Sequence, residues 1–573
     1  MTFFRLNVLW FLFFACIGLV KLWVDRFMAS PDFVSYTEIA YAYLQADWHY
    51  ALNSAWPPLF SWLLMIPISL TNSPESEIVA CHVLQYVIFL LSLATFALVI
   101  RELLRKYILP EASARLNARS AFVVSVYWLV GGGLLVMINP VTLLTPDTLQ
   151  FPIVFLLLYL LVVYSSRPLT LGSSVGFAAI IAIGYYAKSV FIPLAPFLIL
   201  SSVVLSPMSW KKRFQHAVLQ GCVVFVLVLP FVAAISNQQG RLTFGDSGKI
   251  NYGLFVYGLD ASEHQIYSFA NKNLTEERLL IVPEKYPYHC PCQVDRVVWE
   301  DPTSVKVSFF DMGIHFPRNL KENKRFSLSL FVAIAIVFFA YFRQRKTKQI
   351  SLTTMVFLLL PAAVALAAYA GILPLPRYVH LWLIWILFVA IAGIFALDKE
   401  SRRQNFTPKE TVIASGLFIM VFGLFFAWFL VFNFGRCLAG RNDPNGYERI
   451  EAARRISQLD VHDICVVAGP TDGKPLAEGQ RRPANSSYYP TGSLTWIVYT
   501  PCRIRAVYPQ GQHFYSLSAS ELNQVVTRLE KEGIDTILFK SPPKVGPSWT
   551  DLGDGNYVVR VKEYRKELQA APK

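Results

Sequence analysis

The stretch Leu6–Val24, LNVLWFLFFACIGLVKLWV, decides the fold. Apart from Asn7 and Lys21 its side chains are apolar or small, and a helix needs about 20 such residues to cross the hydrocarbon core of a bilayer. No clear basic segment precedes it and no small-x-small cleavage site follows it, so it reads as a retained helix and not as a secretory signal. Lys21, Trp23 and Arg26 suit the point where such a helix meets the lipid headgroups.

The rest of the chain agrees with that reading. Its 573 residues are 54% hydrophobic and 16% charged, with a mean hydropathy of +0.42, too apolar for an ordinary soluble protein. About eleven runs approach the spanning length: 6–24, 79–100, 120–138, 148–165, 171–187, 191–209, 215–236, 326–342, 350–372, 379–397 and 411–433. The net charge of +14 does not point to nucleic acid, because the basic residues gather in short connections between these runs. Arg101, Arg105, Lys106, Arg115 and Arg119 fill one connection, Lys211 to Arg213 a second, Arg343, Arg345, Lys346 and Lys348 a third, and Lys399, Arg402, Arg403 and Lys409 a fourth. With a cytoplasmic N-terminus all four lie on the cytoplasmic side. The expectation is a polytopic α-helical protein of the inner (plasma) membrane, with residues 25–78, residues 237–325 and the tail outside the cytoplasm, which is the periplasm if the cell is Gram-negative.

Pro57–Leu70, about 14 residues, is short for a span and reads as an interfacial or re-entrant helix; if it spanned, every later loop would invert. The tail, 436–573, changes character beside the transmembrane part, 1–435. Ile464–Ala468, Trp496–Tyr499, Ile504–Val507, Thr536–Phe539 and Tyr557–Val561 read as strands, and Gly446–Leu459 and Ser518–Gly533 as amphipathic helices, which together make a small extracytoplasmic α/β domain. Cys290, Cys292, Cys437, Cys465 and Cys502 fall outside the membrane, where disulfides are permitted but the pairing is not deducible. His289-Cys290-Pro291-Cys292 is an incomplete ligand set for structural zinc, so disulfide or free thiol is the reading there. No cofactor is assigned, and a divalent metal finds no support in the sequence.

The residues fit for chemistry lie near the outer ends of the runs. Asp32 follows the first helix in Ser30-Pro31-Asp32-Phe33-Val34-Ser35-Tyr36, and Asp147 opens the fourth run after Asn139-Pro140-Val141-Thr142-Leu143-Leu144-Thr145-Pro146. Each carboxylate has two readings, a helix cap or dipole partner and an acid held over a shared cavity. Lys188, in Gly184-Tyr185-Tyr186-Ala187-Lys188, and Arg377, in Leu373-Pro374-Leu375-Pro376-Arg377-Tyr378, stand on the same side. Either alone can snorkel; together they suit a phosphate. Gly240 to Tyr252, with Arg241 and Asp246, is not a Walker motif and reads either as a surface turn or as a lid that helps bind substrate.

In order and spacing, Asp32 with Ala40, Pro57-Pro58-Leu59 with Trp62, Pro146-Asp147, the Gly184–Lys188 turn and Arg377-Tyr378 resemble the branch of the GT-C superfamily that holds dolichyl-phosphate-mannose protein mannosyltransferases and bacterial aminoarabinose transferases of lipid A. The resemblance covers about 400 residues through short, degenerate motifs. It implies inverting transfer of a sugar from a polyprenyl-phosphate donor to an acceptor hydroxyl on protein, lipid or glycan. Asp32 is then the general base, with Asp147 supporting the catalytic site. Lys188 and Arg377 hold the donor phosphate; apart from the resemblance, Tyr36, Tyr378, Arg241 and Asp246 are the candidate substrate contacts. Two departures are Phe33, where many members have Glu, and Trp56, where aminoarabinose transferases have Lys; aminoarabinose is therefore not assigned. Competing readings are a transporter or flippase of polyprenyl-linked glycans, which favours midplane charges and inverted repeats, and a non-catalytic envelope assembly protein.

Overall fold

The computed structural model describes residues 3–29, 31–107, 118–137, 144–256, 279–281, 307–322, 350–372, 376–395, 447–467, 502–508, 514–539, 549–553 and 556–570, with parts of 330–342. In chain order the membrane part holds α1 (Phe3–Asp25), α2 (Pro31–Leu44), α3 (Trp48–Ala51), α4 (Leu59–Leu70), α5 (Pro74–Tyr107), α6 (Ala118–Tyr127) and α7 (Gly133–Met137). It continues with α8 (Asp147–Tyr164), α9 (Leu171–Ala187), α10 (Phe191–Leu205), α11 (Trp210–Gln239), α12 (Ser247–Phe255), the short strand β1 (Leu280–Ile281), α13 (Phe309–Glu322), α14 (Leu352–Ile372) and α15 (Pro376–Phe395). Among the described residues α1, α5, α8, α11 and α14 are long and apolar enough to cross a membrane, and α4, α9, α10 and the apolar parts of α6–α7 and α15 are shorter. The chain is a polytopic α-helical membrane protein. The run read at 411–433 lies outside the described residues, and the described residues of 326–342 are helical.

Two ends depart from the sequence reading. α5 begins at Pro74 and runs to Tyr107, past both ends of the apolar run 79–100. Glu75 and Glu77 stand in its first turn and Arg105 and Lys106 in its last, the signs that the helix dipole favours at each terminus. Lys21 does not snorkel: it is 1% exposed and faces the bundle, while Trp23 is exposed and Arg26 stacks over it at 4.1 Å.

An aromatic core ties the helices together. Phe14 of α1 stacks on Trp128, Trp128 meets Phe96 of α5 edge-on at 4.9 Å, and Phe96 meets Phe388 of α15 at 4.9 Å. Such pairs are each worth about 0.5–1.5 kcal/mol beyond burial. Three polar groups of this core are matched: Trp128 Nε1 donates to Asn7 Oδ1 at 2.8 Å, Trp10 Nε1 to Ser125 Oγ at 3.2 Å, and Tyr127 Oη to the Phe388 carbonyl at 3.0 Å. A π-helical turn, Trp128–Gly132, joins α6 to α7. There a Cβ on Gly132 would lie 2.6 Å from the Phe14 ring, so the close approach of α1 requires glycine.

The C-terminal part contains α16 (Tyr447–Ser457), β2 (Asp463–Val467), β3 (Arg503–Tyr508), α17 (Ala519–Lys531), β4 (Thr536–Phe539), β5 (Thr550–Gly553), β6 (Asn556–Arg560) and α18 (Val561–Ala570). The sheet order is β1-β3-β2-β4-β6-β5. β2 lies parallel to β3 and β4, and β1, β6 and β5 pair antiparallel. The edge strand β1 belongs to the loop 237–325, so that loop is tied to the tail; two residues are too short a run to read as a strand in sequence. β5 and α18 were likewise not read, and Val561, read as the end of a strand, opens α18. The strand read at 496–499 lies outside the described residues.

Ser518 opens α17 with a capping box to Glu521, and Leu522, Val525, Val526 and Leu529 bury its apolar stripe against the sheet. Arg454 of α16 reaches Glu75 of α5 at 3.0 Å. Cys465 and Cys502 are buried, and the Cys502 thiol donates to the Val461 carbonyl at 3.4 Å. Burial pushes the Cys465 thiol up, which makes it inert packing. Cys290, Cys292 and Cys437 lie outside the described residues.

Candidate functional site

The site begins where α8 starts and α9 ends. Pro146 precedes α8 and places Asp147 in its first turn, buried at 6% exposure. At the other side the Lys188 N–H closes α9 on the Gly184 carbonyl at 2.8 Å. A Cβ on Gly184 would lie 2.5 Å from the Phe191 ring, so glycine lets the chain reverse tightly into α10.

These two ends bring Lys188 and Asp147 together in an ion pair with 20% and 8% of the side chains exposed. The carboxylate also accepts from Thr145 Oγ1 at 3.3 Å and Gln150 Nε2 at 3.1 Å. Gln85 of α5 fixes the approach to α8, donating to the Thr145 carbonyl at 3.3 Å and to Thr148 Oγ1. A buried carboxylate held in this way is charge-paired and oriented.

The ammonium of Lys188 lies 3.9 Å from the ring centroid of Tyr378, a cation–π contact. Tyr378 in turn stacks on Tyr369 of α14 at 5.3 Å. Arg377 is the neighbour of Tyr378 in the first turn of α15. The Tyr369 hydroxyl is buried and has no hydrogen-bond partner among the described residues, as are the Tyr185 hydroxyl and Trp382 Nε1. Tyr185 is on α9, three residues before Lys188, and Trp382 is one turn beyond Tyr378. Unpaired buried donors cost about 1–3 kcal/mol each, and these three lie on α14, α9 and α15.

Asp32 lies on α2, which begins at Pro31. Proline suits the first helical position because its N–H would be unused there and its φ is already helical. Asp32 is therefore inside the first turn, partly exposed, and not the cap that its sequence position suggests. One turn on, Tyr36 is buried, edge-on to Trp56 at 5.1 Å and Phe60 at 5.3 Å. Tyr43 of α2 meets Trp62 of α4, and Trp62 meets Tyr186 of α9 at 5.4 Å, so an aromatic chain joins α2 to the turn that bears Lys188.

Arg241 and Asp246 pair with each other at 2.8 Å, and the Asp246 side chain is 1% exposed. Around them the Asp246 N–H donates to the Ser54 carbonyl at 2.6 Å and Ser247 Oγ to the Ala55 carbonyl. Gly245 has φ +111, and its Cβ would lie 3.3 Å from Ser54 O and 3.6 Å from Ser189 Cβ; both the left-handed backbone and the contact call for glycine. The segment is thus a clasp pinned to residues 54–55 beside Ser189, not a free surface turn.

Tyr369 and Gln85 were not singled out in the sequence. Gln85 had a signal: with Glu77 and His82 it puts polar groups on one side of an otherwise apolar helix. Glu77 accepts from Tyr41 Oη, and His82 Nε2 meets the Met28 carbonyl at 2.9 Å. Tyr369 had none, being one more aromatic residue in the run 350–372. No cluster of metal-binding side chains occurs among the described residues.

No family model matches the chain, and no curated protein matches it in sequence. Among solved structures, ArnT from Cupriavidus metallidurans bound to undecaprenyl phosphate is similar with a TM-score of 0.53 and 13% identity, over 97% of this chain and 97% of that one. ArnT from the same organism in the apo state gives a TM-score of 0.39 and 15% identity over 96% and 98% of the two chains. The Archaeoglobus fulgidus oligosaccharyltransferase in complex with zinc and sulfate gives 0.42 and 13% over 93% and 68%. Of these three the first exceeds 0.5, and at that identity it speaks to fold. The chain is a polytopic membrane protein that resembles the GT-C superfamily in its motifs and is similar in fold to ArnT, an aminoarabinose transferase of that superfamily.

Proposed function

We propose that the protein is a glycosyltransferase that moves a sugar from a polyprenyl-phosphate donor to an acceptor hydroxyl with inversion at the anomeric carbon. The observation that carries the reading is the buried Asp147–Lys188–Tyr378 cluster, in a fold similar to that of a protein crystallised with undecaprenyl phosphate. An ammonium has three N–H donors, so Lys188 can serve a carboxylate and a phosphate oxygen at once. Asp147 offsets the charge of Lys188 and fixes its direction. Arg377 adds a second cation, and the Tyr369 hydroxyl adds a neutral donor.

In the reaction the acceptor oxygen attacks C1 of the sugar as the bond from C1 to the phosphate oxygen breaks. The electron pair leaves with the polyprenyl phosphate, whose growing charge Lys188 and Arg377 stabilise. Asp32 takes the acceptor's proton. One displacement needs no covalent sugar intermediate and inverts the centre. Arg241 and Asp246 then act by holding the 240–250 segment over residues 54–55, with Tyr36 packing the inner side of α2. Purified protein given a labelled polyprenyl-phosphate sugar and a membrane extract is expected to move label into an acceptor with release of polyprenyl phosphate; label that only changes sides of a vesicle would make it a flippase.

We place the reacting face outside the cytoplasm, on the strength of the four basic connections. A reporter fused after Lys573 that works only in the extracytoplasmic compartment is the expected outcome. Activity in the cytoplasm would invert the topology.

A further inference from the structure

We propose that α13, Phe309–Glu322, is a membrane-surface element whose exposed face docks on anionic phospholipid headgroups beside the mouth of the bundle. Its two sides differ in chemistry. Phe310, Gly313, Ile314, Pro317, Arg318 and Lys321 are exposed, and their spacing of three and four residues puts them on one face of the helix. Phe310 is 77% and Ile314 57% exposed. Of these six residues the first four are uncharged and the last two are cations.

The opposite face fixes the helix in place. Met312 lies where a Cβ on Gly371 would approach its Cβ at 3.3 Å, and Phe316 and Leu320 pack on the core of the membrane part. Asp311 accepts from Tyr252 Oη of α12 at 3.2 Å. Asn319 Nδ2 donates to the carbonyls of Ala370 at 2.8 Å and Ile372 at 3.3 Å. Those are among the last carbonyls of α14, which lack helical partners.

This last contact identifies the occupant of the exposed face. A helix bonded to the end of a membrane-crossing helix lies at the depth where that helix leaves the bilayer, so its outward side meets the headgroup region. Bulky apolar groups that dip below the headgroups, with cations at phosphate level, fit an anionic lipid surface. A partner seen only in water would leave Phe310 and Ile314 bare whenever it dissociates. Because α14 also carries Tyr369, the lipid surface supports the rim of the candidate site.

The test uses the full chain in nanodiscs of phosphatidylethanolamine and phosphatidylglycerol, with p-benzoyl-phenylalanine placed at position 310 and, separately, at 314 and 316. After irradiation, mass spectrometry should find phospholipid adducts at 310 and 314 and intramolecular adducts at 316. Adducts at 310 and 314 that join a second copy of the chain, or no lipid adduct at either, would overturn the proposal. In a variant carrying Arg318→Gln and Lys321→Gln that still melts cooperatively, the preference of position 310 for phosphatidylglycerol over phosphatidylethanolamine should fall several-fold. An unchanged preference would remove the headgroup contact.

Discussion

Asp32→Asn is expected to leave the protein folded and able to bind a lipid-phosphate donor, while sugar transfer falls by about 10²-fold to 10⁴-fold, the usual cost of losing a general base. The asparagine keeps the size of the side chain and lacks the basic oxygen. Because α2 opens at Pro31, the carboxylate is not the cap of the helix. The carboxamide keeps an acceptor oxygen for contacts that the carboxylate makes in the fold, so the chain is expected to stay folded. The check is transfer from a labelled polyprenyl-phosphate sugar alongside a thermal melt. Turnover close to that of the unaltered protein would strip Asp32 of its role. Asp147 would be a poor substitute, because it is already engaged with Lys188, Thr145 and Gln150.

Lys188→Ala should have a double effect. It leaves Asp147 buried without its cation, a change that costs about 3–5 kcal/mol when a buried pair loses one partner. It also removes a charged donor from the phosphate. A variant with Lys188→Met and Asp147→Asn together separates the two effects: it should regain most of the melting temperature and still fail to bind donor. Recovery of donor binding along with stability would make the pair a packing device and nothing more.

The membrane architecture was legible because it depends on length and hydropathy alone. The helix bounds at Asp147, Lys188 and Pro376 agree with the sequence reading because proline and glycine mark them. What the pattern hid were directions. Lys21 has the position of a snorkelling residue and turns inward. Arg241 and Asp246, five residues apart in a polar loop, resemble exposed substrate contacts but pair with each other, with Asp246 buried. Tyr369 lies in an apolar run where one aromatic looks like the next, and the contact that sets it apart is Tyr378, on another helix. In the tail, β1 comes from a loop far away in sequence, so no local signal could place it in the sheet.

The account stands most directly on where the donor phosphate binds. A structure of the protein with polyprenyl phosphate, determined by electron cryomicroscopy in nanodiscs, should place the phosphate within hydrogen-bond reach of Lys188, beside Tyr378 and Arg377, with Asp147 still paired to the ammonium. A phosphate at the opposite end of the bundle, near Lys106, or at the bilayer midplane would contradict it.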